Sequence, residues 1–337
     1  MHQKALGKTS LLKTHWVWCL LVFFLSLHSF ACVNSSTARK ETEVKLPPKG
    51  VRLKPSLHRG NERLSLGVEP LEEHTPNWIN PEMKKQLANA RKDFDKTFSV
   101  SGFGPFIIIS NIKPSRLEEV KESIIRSSYN AFYKDFCSVS PTYITTIYLF
   151  KNQADYAFYS RKLFQETPNT PYGYYRSDDR AMLINLSTGT GTLVHEMVHA
   201  ILDADFPDAP TWFNEGFASL FEQSRIEEGS ILGLNNWRYP ILKKAIDSNS
   251  MSLGKLFATS EQEFYDDQDG YNYAKARYLC YYLQKHGLLV TFYKRFKQQQ
   301  SIDPSGIKTL TEVVKKDLSL FEKEWTEWAK TLETTDN

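Results

Sequence analysis

Apolar positions along the chain change period about halfway, and that change sets the expected architecture. Phe103 to Ser110 (FGPFIIIS) is a β-branched run that predicts a buried strand, and Thr142 to Phe150 (TYITTIYLF) predicts a second. Gly173 to Tyr175 and Ala181 to Leu186 (AMLINL) predict a strand pair joined through Ser177-Asp178-Asp179. Helical signals start at Asn80-Pro81, a capping residue followed by a first-turn proline, and run to about Thr97. Leu117, Val120, Ile124 and Ile125 recur at helical spacing within Pro114 to Phe136, and a further helix is expected from Gln153 to Phe164. After Ser187 the strand signals stop, and the chain to Thr334 reads as helices and loops. Strands with helices, then helices alone, indicate an α+β fold: an α/β lobe over 80–204 and a helical lobe over 205–337.

The first eighty residues follow a different pattern. Lys4, Lys8 and Lys13 precede the apolar run Trp16 to Phe30, and Ser29 and Ala31 supply small residues for cleavage. Residues 1–31 therefore read as a secretory signal peptide. Fifteen residues interrupted by Ser26, His28 and Ser29 are short for a membrane span, although an uncleaved signal anchor is the alternative. Cleavage after Ala31 would expose Cys32, as in a bacterial lipoprotein; ordinary secretion needs no lipid. Both readings place the protein outside the cytoplasm, secreted or in the periplasm and cell envelope. Residues 32–79 are rich in Ser, Thr, Lys, Glu, Pro and Gly and read as a flexible tether carrying His58 and His74 in solvent.

Composition allows a sizeable core: 41% of the 337 residues are hydrophobic and 24% charged, enough for one or two globular domains. The net charge of +3 belongs to the leader. Its three lysines face no Asp or Glu, and without them the 39 remaining basic residues match the 39 acidic ones. A neutral body removes the electrostatic case for a nucleic-acid partner. Oligomeric state leaves no mark on the sequence.

The chemistry concentrates in His195-Glu196-Met197-Val198-His199. Residues four apart share a helix face, so both imidazoles can reach one ion, while Glu196 sits one position round, within reach of a metal-bound water. Leu193, Val194, Ile201 and Leu202 make the flanks apolar, and Thr192 is expected to cap the helix. Chance alone supplies about 0.02 such patterns in a chain of this composition. A catalytic zinc needs three protein ligands and an open position. Of the other histidines beyond the leader, His58 and His74 lie in the tether, and His286 precedes Gly287 at an expected helix end, where a cap or core role fits. The third ligand must then be a carboxylate or a cysteine. Glu215, in Trp212-Phe213-Asn214-Glu215-Gly216-Phe217-Ala218 and 15 residues beyond His199, is the better candidate; Asp205 is the weaker one. Two antiparallel helices would bring His195, His199 and Glu215 together around one Zn2+ per chain.

His-Glu-x-x-His followed by Glu on the next helix is similar to the gluzincin pattern of zinc metallopeptidases. Trp212 to Ser219 resembles the Trp-Leu-Asn-Glu-Gly-Phe-Ala stretch of the aminopeptidase N family, and Tyr273-Ala274-Lys275-Ala276 resembles its Tyr-x-Lys-Gly. The short chain looks more like the bacterial peptidase MA-like domain proteins, over about residues 100 to 300. The resemblance implies a zincin-like fold: a mixed-sheet lobe with the active-site helix, a helical C-terminal lobe, and a zinc cleft between them. It implies Glu196 as general base and Tyr273 as oxyanion donor, with Tyr271 in reserve, acting on peptide or protein substrates. The Gly-Ala-Met-Glu-Asn segment that binds a free α-amine has no counterpart, so exopeptidase activity is not implied. Ala181 to Leu186 lies where that segment would lie, and an edge strand there could add a substrate peptide. Ser219 stands where some gluzincins carry an acid supporting a ligand.

The expected activity is therefore extracytoplasmic zinc-dependent peptide hydrolysis. Zinc hydrolysis of a non-peptide amide or ester is an alternative, and a non-catalytic binding lipoprotein is another. Cys137 and Cys280 are either a disulfide or two buried thiols. The aromatic residues of Tyr271 to Tyr282 and Trp325 to Trp328 are expected as core faces of helices.

Overall fold

Runs of β-branched and aromatic residues build a five-stranded sheet from β1 (Ser99–Phe103), β2 (Phe106–Ser110), β3 (Thr145–Phe150), β4 (Gly173–Arg176) and β5 (Ala181–Asn185). The computed structural model describes residues 81–333, so the leader, Cys32 and the tether fall outside it. The strand order is β1-β2-β3-β5-β4. β2, β3 and β5 run parallel, and β1 and β4 close the two edges antiparallel. Two expectations are corrected here. The run from Phe103 to Ser110 is not one strand: Gly104, with φ of 57°, turns the chain into a hairpin with Pro105. Ala181–Asn185 is not an edge either, because it pairs with β3 on one side and β4 on the other, leaving β4 as the edge strand.

α1 (Pro81–Asp93), α2 (Pro114–Val120), α3 (Ser127–Asp135), α4 (Gln153–Phe164) and α5 (Gly191–Asp205) cover both faces of the sheet, α2 running into α3 through a π-helical turn at Lys121–Arg126. Strand alternation divides the core accordingly. Ile107, Ile109 and Leu183 pack with Met83 of α1 and Tyr156 of α4, whereas Ile108, Ile147 and Met182 pack with Phe132 of α3 and Met197 of α5. With both faces covered, all five residues of β2 are buried. The core on the α5 side continues without interruption into the C-terminal half, as far as Ala329.

That half contains α6 (Thr211–Leu220), β6 (Ser224–Glu227), β7 (Ser230–Gly233), α7 (Tyr239–Asp247), α8 (Leu253–Ala258), α9 (Glu261–Tyr265), α10 (Tyr271–Lys285), α11 (Leu289–Gln299), α12 (Ile307–Val314) and α13 (Leu318–Lys330). The β6–β7 hairpin departs from the helices-only expectation. Its turn, Glu228-Gly229, has two positive φ values, the geometry of the tightest hairpin turns, on strands too short and polar to announce themselves. The expected core faces are present: Tyr273, Tyr278, Tyr282 and Trp325 are buried. His286 ends α10 with Nδ1 2.8 Å from the Tyr282 carbonyl, as a cap. Cys137 and Cys280 are buried free thiols, which sets the disulfide aside. Among the described residues no helix is long and apolar enough to cross a membrane.

α6 and α10 touch backbone to backbone at Gly216. A methyl group there would lie 2.7 Å from the Ala276 carbonyl carbon and oxygen, closer than real contacts allow. Glycine in mid-helix normally costs about 1 kcal/mol against alanine, so its presence beside Glu215 reflects this approach. Gly216→Ala is therefore expected to lower stability by about 1–2 kcal/mol in urea denaturation despite the better helix propensity. Equal or higher stability in the variant would show that the helices have room to separate.

Candidate metal centre

α5 is apolar nearly all round, and its interior position carries His195, Glu196 and His199 into the core. It begins at Gly191 with Thr190 as its cap, so Thr192 lies in the first turn and is not the capping residue expected. α6, which follows after a five-residue loop, brings Glu215 against both histidines. His195 Nε2 is 3.4 Å from Glu215 Oε2, and His199 Nε2 is 3.8 Å from Glu215 Oε1. The three side chains offer ligand atoms all within 4.8 Å of one another. Ligands on a zinc at about 2.0–2.1 Å stand roughly 3.4 Å apart in a tetrahedron, close to the separations seen. His199 Nε2 is buried without a hydrogen-bond partner, which is how a ligand atom would present itself. Two imidazoles and one carboxylate are also a donor set that suits zinc.

What aims these atoms lies around them. His199 Nδ1 is 2.7 Å from Asn214 Oδ1, and His195 Nδ1 is 3.1 Å from Glu222 Oε1. Acceptors at both Nδ1 atoms favour a proton there and leave each Nε2 lone pair pointing inward. The Tyr265 hydroxyl donates to Glu215 Oε1 at 2.8 Å. Burial pushes the Glu215 carboxyl up, but His199, His195 and Tyr265 outweigh it and hold its pKa below the ordinary range. Glu222 behaves alike: burial raises it, while Arg238 and His195 bring it far lower. Arg238 grips Glu222 through Nη2 at 2.8 Å and Nε at 3.2 Å.

Glu222, Tyr265 and Arg238 went unread in the sequence. Glu222 left one signal, an acid two helical turns beyond Glu215 in an otherwise apolar stretch. Tyr265 left none, since 50 residues separate it from its partner. Ser219, fully buried, has no hydrogen-bond partner for its hydroxyl and supports no ligand; Glu222 stands in that role. Arg277 of α10 is also fully buried. It donates to the carbonyls of Ser219 at 3.0 Å and Leu220 at 3.4 Å, capping α6, and to that of Leu234. Burial brings its pKa down to about 10, which leaves it charged near Glu222.

Tyr273 lies beside this centre. Its ring is 6.3 Å from that of Tyr265 and 4.8 Å from the Arg238 guanidinium carbon, so it packs on the supports of both Glu215 and His195. Tyr271 is the first residue of α10 and packs at the core margin. Asp205, the weaker ligand candidate, is engaged elsewhere. Its Oδ1 accepts from the backbone N–H groups of Ser138 and Val139 at 2.8 Å and from Lys297 Nζ at 2.7 Å, and its Oδ2 from the Tyr293 hydroxyl at 2.7 Å. It fastens the end of α5 to α11 and to the segment after α3.

No protein-family model matches the chain, and no curated protein matches it.

The fastening of α5 through Asp205 can be tested by pH. Burial raises its carboxyl, but Lys297, the Ser138 and Val139 amides and Tyr293 together hold its pKa below the ordinary 3.8. Folding thus favours the charged form, so the stabilisation is complete above the unfolded pKa and disappears as pH falls through the folded one. Asp205→Asn should cost about 3 kcal/mol at neutral pH, and the gap from wild type should narrow once the pH drops below 3.8. A gap that stays constant in acid would mean that the charge contributes nothing.

Proposed function

We propose that this chain is an extracytoplasmic zinc-dependent peptidase of the gluzincin type with a zincin-like fold. One observation carries the reading: His195, His199 and Glu215 converge in the core, each backed by its own polar partner. Burying such a trio without an ion would be costly. The leader read at residues 1–31 supports action outside the cytoplasm.

His195, His199 and Glu215 would hold the ion. Its chemistry when bound is Lewis acidity, which brings the pKa of a water toward neutrality and polarises a carbonyl. Glu196 takes a proton from the attacking water as the new C–O bond forms. It returns that proton to the nitrogen as the C–N bond breaks, so the amine leaves neutral. Tyr273 donates its hydroxyl hydrogen to the oxyanion that develops on the carbonyl oxygen. Asn214 and Glu222 keep the imidazoles in one tautomer throughout, and Tyr265 keeps Glu215 from turning away. The outer edge of β4 offers backbone donors and acceptors to an extended peptide.

Two measurements test the reading. The full chain should bind close to one zinc, and so should Glu196→Gln, while only the wild type digests casein or a peptide library. Absence of zinc would refute the proposal; zinc without peptide cleavage would favour the amide, ester or non-catalytic alternatives. Glu222→Gln should then weaken zinc affinity by about 10–100-fold in chelator competition, and Tyr265→Phe should weaken it in the same direction. Unaltered affinity in both would mean that the ligands need no aiming.

A further inference from the structure

The sheet face opposite α5 is covered by α1 and α4, and the outer surface of this pair differs in charge from the rest of the body. Their inner sides meet around aromatic rings. Tyr159 of α4 stacks on Phe94, just after α1, at 5.4 Å and meets Phe98 edge-on at 5.0 Å. Outward on α1 stand Lys84, Lys85, Arg91 and Lys92, with Lys96 following, all exposed. Outward on α4 stand Ala154, Phe158, Arg161 and Lys162, which share one strip at helical spacing. The two outer surfaces adjoin. Asp95, at the end of α1, is held below the ordinary carboxylate range chiefly by the Thr97 hydroxyl and amide, and in smaller part by Lys162.

Residues 81–97 and α4 hold seven basic residues against four acidic ones, whereas residues 81–337 as a whole hold 31 against 33. The positive surplus is therefore local. None of the seven cations takes part in an ion pair among the described residues. Three of the four acids are engaged: Glu82 accepts from the Gln86 amide at 2.9 Å, Asp95 from the Thr97 N–H at 2.8 Å, and Asp155 from the Asn111 amide at 2.7 Å. Phe158 stands on this surface 53% exposed, with Arg161 and Lys162 three and four residues on. A lone ring flanked by long cationic side chains fits a bilayer interface, where the ring enters among the headgroups and the cations meet lipid phosphates. One ring gives no platform on which successive bases could stack, so lipid fits better than nucleic acid.

We infer that the outer surface of α1 and α4 is a membrane-docking face that seats the folded body on an anionic lipid leaflet, with Phe158 at headgroup level. Chain order favours the same face, since residues 32–79, read as the tether, join the body through α1. A tethered body stays close to the bilayer, so a weak face is enough to orient it. Docked this way, the sheet stands between the membrane and α5, and the metal centre lies on the side away from the lipid. Docking does not depend on the peptidase reading.

The test is lysine acetylation, read by mass spectrometry, of the full-length chain on phosphatidylcholine vesicles with and without phosphatidylglycerol. With phosphatidylglycerol, Lys84, Lys85, Lys92 and Lys162 should react about fivefold more slowly, and high salt should restore their reactivity. Lys243 of α7 and Lys308 of α12 should react equally on both vesicles. On phosphatidylcholine alone the leader can still hold the chain, but the face has no anionic partner and its lysines should stay reactive. Combining Phe158→Ser, Arg161→Glu and Lys162→Glu should abolish protection at Lys84 and Lys92, with an unchanged urea midpoint as the check on folding. The milder pair Arg161→Gln and Lys162→Gln should remove part of it. Absence of protection, equal protection on both vesicles, protection that extends to Lys243 and Lys308, or protection of Lys84 that survives both variants overturns the docking face. Protection by a DNA duplex in solution, with none from phosphatidylglycerol, also overturns it and assigns the surface to nucleic acid.

Discussion

Two imidazoles and a carboxylate share one buried space between α5 and α6, and much of the surrounding structure offsets the cost of putting them there. A buried ionised carboxylate is tolerated only when paired and hydrogen-bonded. Glu215 meets that condition through His195, His199 and Tyr265. The need then moves outward: His195 turns to Glu222, a second buried acid, and Glu222 needs Arg238. Arg277 adds a positive charge near Glu222 while it caps α6. Each layer makes sense only because of the one inside it.

Packing holds the two helices to the accuracy this arrangement needs. α5 is seated under the sheet by Leu193, Met197, Val198 and Ile201, and its far end is fastened by Asp205 to Lys297 and Tyr293. α6 is set by the backbone contact between Gly216 and Ala276. Glu215 thus lies between a glycine fixed by α10 and an Asn214 that reaches His199, and it has little freedom to withdraw. The sheet adds an antiparallel edge strand, β4, that packs on α5 and whose outer side pairs with no strand among the described residues.

Much of this was legible locally. Helical spacing located α2 to α3 and α4, and the rarity of histidine turned the search for a third candidate ligand toward a carboxylate, with Glu215 on the next helix the better candidate. The misreadings share a cause: each concerned a property created by a neighbour. β5 read as an edge because a strand carries no record of what pairs beside it. The β6–β7 hairpin was invisible because two four-residue strands, the first mostly exposed, are too short to show a hydrophobic period. Asp205 remained a ligand candidate until its hydrogen bonds from Ser138, Val139, Lys297 and Tyr293 left it nothing to give.

By itself the sequence determined which residues could carry chemistry, because His195, Glu196 and His199 are placed by helix geometry alone, and a 3.6-residue period needs no tertiary contact to act. It determined as well that residues 1–31, with three lysines and no Asp or Glu, account for the net charge of +3. Only the tertiary structure decided which groups aim those residues. Glu222, Tyr265 and Arg238 reach the centre or its supports from up to 50 residues away from what they touch, so no local pattern can reveal them. Their partners are chosen by the cost of burying charge, which exists only once water has been excluded.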